Sequence, residues 1–305
     1  MALFDRKITW EKLGLVIAPQ RDLWWMQSHA MIPTLDMLGD GLLRVYFSGR
    51  NERNVSHIGW AEIDLARPTE IQDYSREPVL LPGALGCFDD NGVTPSSVVR
   101  HDGKIYLYYI GWNPGSTVRM HLFGGLAVST DGGRSFERAS RAPVIERCAV
   151  NPYLNTAPFV LHEDGQWRMY YVAGVGWRHR DLPRYNIQYA TSRDGLHWHR
   201  DGTVAIDFAS DEENALARPF VLKEDGRYRM WFAHKGEAYR LGYAESDDGI
   251  RWQRDDSFAG VAPSASGWDS QMVEYAAVAR HGDRYFMFYN GDNYGAGGIG
   301  LAVGR

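Results

Sequence analysis

The sequence lacks the features that mark several common classes of protein. It contains only two cysteines, Cys87 and Cys148, and no apolar segment follows the first residues, MALFDRK. A secreted fold held by disulfides is therefore not expected. No apolar run approaches the roughly 18 residues that a membrane-spanning helix needs. These absences predict a soluble, cytoplasmic protein without a membrane partner.

Excess positive charge and metal-binding motifs are also missing. The formal net charge is −5, so the chain offers no basic field to attract nucleic acid. The sequence has no CxxC or HExxH spacing and no GxSxG motif, which argues against a dedicated transition-metal site and against a nucleophilic serine of the hydrolase type. No cofactor is expected from these patterns.

What the sequence does contain is a repeat of about 60 residues. The repeat anchors Pro33, Pro95, Pro158, Pro219 and Ala276 are separated by 62, 63, 61 and 57 residues. The best-preserved copy alternates apolar and polar residues between Asp-Gly turns, which predicts four short strands. The 33 glycines and 11 tryptophans suit many short strands and tight turns. The five copies span 31–63, 95–138, 157–201, 212–255 and 276–303.

Four-stranded units repeated in this way predict an all-β fold, a five-bladed β-propeller with antiparallel blades. The fifth copy ends after three strands, while the N-terminus supplies an unassigned strand at residues 8–12. We therefore expect the N-terminal strand to complete the last blade and close the ring. Trp10 would then take the place that Trp198 and Trp252 hold in their own copies. Residues 1–305 would form a single domain.

In a propeller, the loops that enter the innermost strands meet on one face of a central channel. At these positions the five copies differ from one another, which predicts a specialised surface. Carboxylates, arginines, histidines, amides and tryptophans are mixed there, and sugars are recognised by such aromatic platforms and hydrogen-bonding groups. A carbohydrate or a sugar-containing small molecule is the expected partner. The predicted substrate-binding residues are Trp25, His29, Arg50, Trp112, Asn155, Arg218, His234 and Asp269.

Each candidate also has a structural interpretation. Asp89 and Asp90 precede an Asn-Gly turn and could be solvated turn residues. Arg50 and Arg218 could pair with nearby acids, or could bind a carboxylate or phosphate of the substrate. The histidines could be structural, the tryptophans could pack between blades, and Asp269 could cap a turn. The repeated Ser-x-Asp-Gly turns at 129–132, 192–195 and 246–249 are predicted to serve the architecture.

The repeat copies, with acids at the mouths of the inner strands, resemble the five-bladed propellers of glycoside hydrolase families 43, 32, 68 and 130. The stretches ENALARPFVLKEDGRYRMWF, YRLGYAESDDGIRW and GWDSQMVEYAAV resemble glycosidase-like proteins of bacterial polysaccharide and glycan gene clusters. The resemblance implies sugar chemistry. However, the family 43 acids of the first and third blades fall at Ser28-His29 and Asn155-Thr156, so that catalytic triad is not carried over.

We therefore expect an enzyme that cleaves or transfers a glycosidic bond with carboxylates in the channel. Glu213 is predicted to be the proton donor, with a pKa raised by its surroundings. Asp90 would act as the base, with Asp89 beside it, and Glu274 would orient the sugar or tune the other two acids. The resemblance to family 43 implies inversion at the anomeric carbon.

Other functions remain open from the sequence. A lectin-like propeller would bind a glycan without cleaving it, and the missing acid of the first blade favours this alternative. A biosynthetic enzyme would act on a nucleotide-linked or phosphorylated sugar, which the arginines favour. A protein-binding scaffold is a third alternative. A divalent cation such as calcium could also occupy the channel, since its acids and amides are hard oxygen ligands.

Overall fold

A computed structural model describes residues 3–5 and 7–305 of the chain. These residues form an all-β protein with a 3-10 helix at Asp256–Phe258 and a short helical segment at Asp292–Gly295. No helix in this part of the chain is both long and apolar enough to cross a bilayer. The strands are β1 (Trp10–Ile17), β2 (Ser28–Gly39), β3 (Leu42–Arg50), β4 (Ser56–Asp64), β5 (Ile71–Tyr74), β6 (Val93–His101), β7 (Lys104–Pro114), β8 (Met120–Ser129), β9 (Glu137–Arg138), β10 (Asn155–Glu163), β11 (Gln166–His179), β12 (Leu182–Ser192), β13 (Trp198–His199), β14 (Val204–Ile206), β15 (Ala215–Glu224), β16 (Arg227–Lys235), β17 (Tyr239–Ser246), β18 (Gln253–Arg254), β19 (Glu274–His281), β20 (Arg284–Asn290) and β21 (Ile299–Gly304).

Each sequence repeat forms an antiparallel meander that begins with a long, buried strand. The first strands of the five meanders are β2, β6, β10, β15 and β19. The second, third and fourth meanders are joined by single parallel pairings, Asn155 with Phe123 and Tyr185 with Ala215. The first strands also contact one another in cyclic order, because β2 contacts β6 and the series ends with β19 against β2. We call these five strands the inner strands.

The last meander is completed by the N-terminus, as predicted. Strand β1 pairs antiparallel with β21, and Trp10 lies opposite Gly304. The ring of Trp10 packs edge-on against Tyr285 at 6.4 Å between centroids. Trp252 packs in a similar way against Tyr228 at 6.5 Å. The two ends of the chain are therefore held in one sheet.

Neighbouring meanders are tied together by buried tyrosine hydroxyls. Three tyrosines of the second strands donate to glycine carbonyls in the turns of the next repeat. The pairs are Tyr46 with Gly133 (2.9 Å), Tyr108 with Gly195 (2.7 Å) and Tyr170 with Gly249 (2.8 Å). The same turns are closed internally by Ser129, Ser192 and Ser246, whose hydroxyls accept backbone N–H groups. The repeated Ser-x-Asp-Gly turns thus serve the architecture.

Candidate functional site

The inner strands share an irregularity where they enter the sheets. In all five, the pairing register shifts next to the repeat anchor, as in a β-bulge. In four of them the residue just before the anchor has a left-handed backbone, which is costly for residues other than glycine and concentrates at functional sites. A bulge also redirects a side chain. These residues are Ile32 (φ 56°), Ala157 (φ 47°), Arg218 (φ 52°) and Tyr275 (φ 58°).

The bulge residues line a central cavity of about 370 Å³. Thr94, which precedes the anchor of the second repeat, lies there as well. The walls come from the ends of the second strands and from two long hairpins, β7–β8 and β11–β12. A backbone hydrogen bond of 2.8 Å from Arg119 to Arg180 joins these hairpins. Other lining side chains include Arg50, Asn54, Asn91, Trp112, Asp181, Tyr185, Asn214, Lys235, Tyr239 and Tyr294.

The cavity carries a strong excess of positive charge. Arg50, Arg119, Arg218 and Lys235 line it, against a single carboxylate, Asp181. Within the described residues none of these four cations forms an ion pair with an acid. Burial lowers the pKa of Arg50, and the neighbouring charge of Arg119 lowers it further. Such a site favours an anion, since guanidinium groups bind phosphate and carboxylate through paired hydrogen bonds.

Lys235 lies within a group of tyrosines on one side of the cavity. Its amine donates to the Tyr294 hydroxyl at 3.3 Å and lies 5.3 Å from the centre of the Tyr239 ring. The hydroxyls of Tyr239 and Tyr185 share a hydrogen bond of 2.7 Å. Burial raises the pKa of Tyr239 and Tyr275 well above the usual range. These phenols therefore stay protonated and can donate to a ligand.

Glu274 lies behind this tyrosine group, at the first position of β19. Its side chain is fully buried, and its carboxyl group lies near the Tyr275 hydroxyl and Lys235. Burial raises the pKa of Glu274 well above its ordinary value, and the nearby Tyr275 hydroxyl and Lys235 only partly oppose this. Because a buried carboxylate is very costly, burial favours the neutral, protonated form of Glu274.

Three other predicted acids are bound by cations of fourth strands. The Glu213 carboxylate accepts two hydrogen bonds from Arg254, at 2.7 and 3.0 Å. Asp89 accepts from Arg138 at 2.8 Å, and Asp269 accepts from Lys12 at 2.6 Å. None of the three lines the central cavity. The recurrence of one arrangement in three repeats indicates that these ion pairs hold the entry loops in place.

The predicted raised pKa of Glu213 is wrong. Burial alone would raise it, but hydrogen bonds from His234 and Arg254 outweigh burial and lower the pKa below its ordinary value. His234 Nδ1 lies 2.9 Å from the same carboxylate, so this histidine also belongs to the ion-pair network. Glu213 is therefore an anion at neutral pH, with no proton to donate.

The remaining predicted residues divide between the cavity and the surrounding fold. Arg50, Trp112 and Arg218 line the cavity. Asp90 accepts from Asn113 at 2.9 Å and adjoins the lining residue Asn91. Three predicted residues do not line the cavity, namely Trp25, His29 and Asn155. Trp25 packs against Phe47, and the His29 ring lies 3.0 Å from the Ser28 hydroxyl. Asn155 donates to the carbonyls of Glu146 and Asn151. Burial and the charge of Arg50 lower the pKa of His29 to about 4.

Sequence reasoning missed several lining residues. Arg119 and Asp181 lie in hairpins that extend past the repeat consensus, and that extra length was an available signal. Tyr185, Tyr239 and Tyr275 fit the alternating strand pattern, so nothing in the sequence distinguishes them from core residues.

Comparison with known proteins places the chain in a family. The glycosyl hydrolases family 32 N-terminal domain matches residues 45–215. The chain belongs to that family. An uncharacterized protein of Mycobacterium tuberculosis (strain ATCC 25618 / H37Rv) is 41% identical over 97% of this family 32-like chain and 99% of its own length. The 1,2-beta-oligomannan phosphorylase of Thermoanaerobacter sp. (strain X514) is 26% identical over 72% of this chain and 71% of its own.

The fold of this chain is also similar to that of solved structures. One comes from work on the GH130 family of mannoside phosphorylases, which contains glycoside hydrolases that target beta-1,2 mannosidic linkages in Candida mannan. It superposes with a TM-score of 0.71 and 14% identity, covering 99% of this chain and 95% of its own. The chain thus has the fold of propeller-like glycosidases, as the sequence predicted.

Proposed function

We propose that the chain is a carbohydrate-active enzyme that transfers a glycosyl group between a glycan and phosphate in the central cavity. We infer that it is one domain and that its five meanders are the blades of a closed five-bladed propeller. The cyclic contacts of the inner strands support this arrangement. The observation that carries the proposed reaction is that Arg50, Arg119 and Lys235 line the cavity without pairing with any acid of the described residues.

The charge balance of the cavity favours phosphate over water as the attacking group. Hydrolysis by inversion needs one carboxyl group to protonate the leaving oxygen and a second to activate water. Phosphate is already an anionic nucleophile, so it needs cations to bind it and only one acid. The cavity supplies cations in excess, and Glu213, Asp89 and Asp269 are bound elsewhere.

The proposed roles follow from position. Arg50, Arg119 and Lys235 bind phosphate, and Trp112 packs against a sugar ring. Glu274 holds the proton and passes it to the leaving oxygen through Tyr275, a lining residue of the cavity. A phosphate oxygen bonds to the anomeric carbon as the bond to the leaving oxygen breaks, and this single displacement inverts the configuration. Asp90 is not required as a base in this scheme.

The Thermoanaerobacter relative, a 1,2-beta-oligomannan phosphorylase, gives the first substrate to test. A 1,2-beta-oligomannan, incubated with the protein and inorganic phosphate, is expected to yield a sugar 1-phosphate that phosphorus NMR detects. Glu274→Gln should abolish this product, whereas Glu212→Gln, at an exposed site in another entry loop, should not. If free sugar forms at the same rate without phosphate, the chain is a hydrolase. Binding without turnover of this and other glycans would support the lectin-like alternative.

A further inference from the structure

Arg218 is a buried cation that forms no ion pair with any acid in the part of the chain that the structure describes. Its side chain is 1% exposed. The guanidinium donates to the Pro33 carbonyl at 2.7 Å and to the Thr34 hydroxyl at 2.9 Å, and more weakly to the Pro219 carbonyl at 3.5 Å. All three acceptors are neutral, and Nε has no hydrogen-bond partner.

A buried positive charge destabilises the folded protein unless an anion pairs with it or the group loses its proton. Loss of the proton is not sufficient, because burial lowers the pKa of Arg218 only to about 9, which leaves the group charged at neutral pH. Within residues 3–5 and 7–305, no carboxylate forms an ion pair with it. The described residues therefore supply no counter-charge for Arg218, and an anion from solution could supply it.

Arg218 also lies where such an anion could enter. It lines the central cavity on one side and a second cavity of about 300 Å³ on the other. Each cavity has a buried hydroxyl without a hydrogen-bond partner: Thr156 lines the central cavity and Ser96 lines the second. Hydroxyl groups donate to anions as readily as to carbonyls, so each cavity that Arg218 lines also has a hydroxyl donor in its lining.

We propose that Arg218 binds a small monovalent inorganic anion, of the halide class, between the two cavities. The nearly complete burial of Arg218 argues against contact with a sugar or a bulky phosphorylated group, while an ion of halide size needs little space. This site is separate from the phosphate site proposed at Arg50, Arg119 and Lys235. The ion would neutralise the floor of the cavity and hold the strained bulge of β15 in place.

Two measurements test the site. Crystals of the wild-type protein grown or soaked in bromide should show an anomalous peak beside the Arg218 guanidinium. In solution, chloride at a few times its Kd should raise Tm on the order of 1–2 °C over gluconate at equal ionic strength. Arg218→Met should lose this response, and Arg134→Met, at an exposed arginine, should keep it.

The halide site at Arg218 can be tested separately from the proposed reaction with phosphate. Arg50→Gln should lose stabilisation by phosphate but keep the response to chloride. If Arg218→Met does not fold, the bromide measurement on the wild-type protein still decides. No bromide peak at Arg218, a chloride response that persists in Arg218→Met, or stabilisation by phosphate alone would each overturn the halide site.

Discussion

Glu213→Gln tests directly whether this acid is structural or catalytic. The carboxylate is 7% exposed and accepts from Arg254, from His234 and, at 2.8 Å, from the backbone of Ala209. Glutamine keeps the shape and one acceptor but removes the charge. The change leaves Arg254, a half-buried cation, with a weaker partner.

The loss of folding stability in Glu213→Gln can be estimated. Removing one partner of a buried ion pair typically costs about 3–5 kcal/mol. Arg254 retains a second carboxylate, Asp256 at 2.7 Å, so we expect the lower end, about 3 kcal/mol. In a chain of this size that corresponds to a fall in Tm of roughly 6 °C.

The pH dependence should have a definite sign. Because folding lowers the pKa of Glu213, its charge stabilises the native state above the unfolded pKa, near 4.3. That contribution is lost as pH falls from there through the folded pKa. The difference in stability between the wild-type protein and Glu213→Gln should therefore shrink in acid.

Calorimetry at pH 7 and pH 4, together with the phosphate-dependent assay, provides the measurement. Glu212→Gln, an exposed neighbour, is the matched control and should leave both Tm and turnover unchanged. We expect Glu213→Gln to lose stability while keeping turnover at temperatures where it is folded. An unchanged Tm with complete loss of turnover would refute the structural role and restore the sequence-based assignment of Glu213 as the proton donor.

Three further predictions follow from the contacts between sheets and in the cavity. Tyr108→Phe should lower the free energy of unfolding by about 1 kcal/mol in urea, through loss of its bond to Gly195, whereas the partly exposed Tyr153→Phe should not; equal values would contradict the role of the hydroxyl. Deletion of residues 1–17 should leave β21 with an open edge and cause aggregation visible by size exclusion, so a monomeric, folded truncation would contradict it. Phosphate should raise the Tm of the wild-type protein but not that of Arg50→Gln, and equal shifts would remove Arg50 from the anion site.

Much of the fold could be predicted because the same pattern of strands and turns occurs in five copies along the sequence. Evenly spaced anchors and Asp-Gly turns indicate meanders of similar length, and five copies average out local ambiguity. The missing strand of the last copy also carried information, since an incomplete sheet needs a partner for β21. The contacts of Tyr46, Tyr108 and Tyr170 were not predictable, because each acceptor lies in the next repeat.

The candidate site was harder to predict for a physical reason. Sequence order places Asp89, Glu213 and Asp269 at the mouths of inner strands, and that much is correct. Their cations lie on fourth strands, far along the chain: Lys12, for example, is 257 residues from Asp269. Whether an acid is free or paired depends on those long-range contacts. The raised pKa of Glu274, by contrast, follows from its burial, which only the packing of the folded chain reveals.

The bulges show how a repeated fold can carry one asymmetric site. A residue before proline normally avoids helical conformations, so the left-handed backbone of Ile32, Ala157 and Arg218 could not be expected from sequence. Once formed, the bulge turns one side chain per repeat toward the shared cavity. The first three repeats place Ile32, Thr94 and Ala157 there, which are small or apolar and leave room for a ligand, whereas the last two place Arg218 and Tyr275. Among the bulge positions, a cation and a phenol therefore occur in the fourth and fifth repeats, where β15 and β19 retain the strained backbone that positions them.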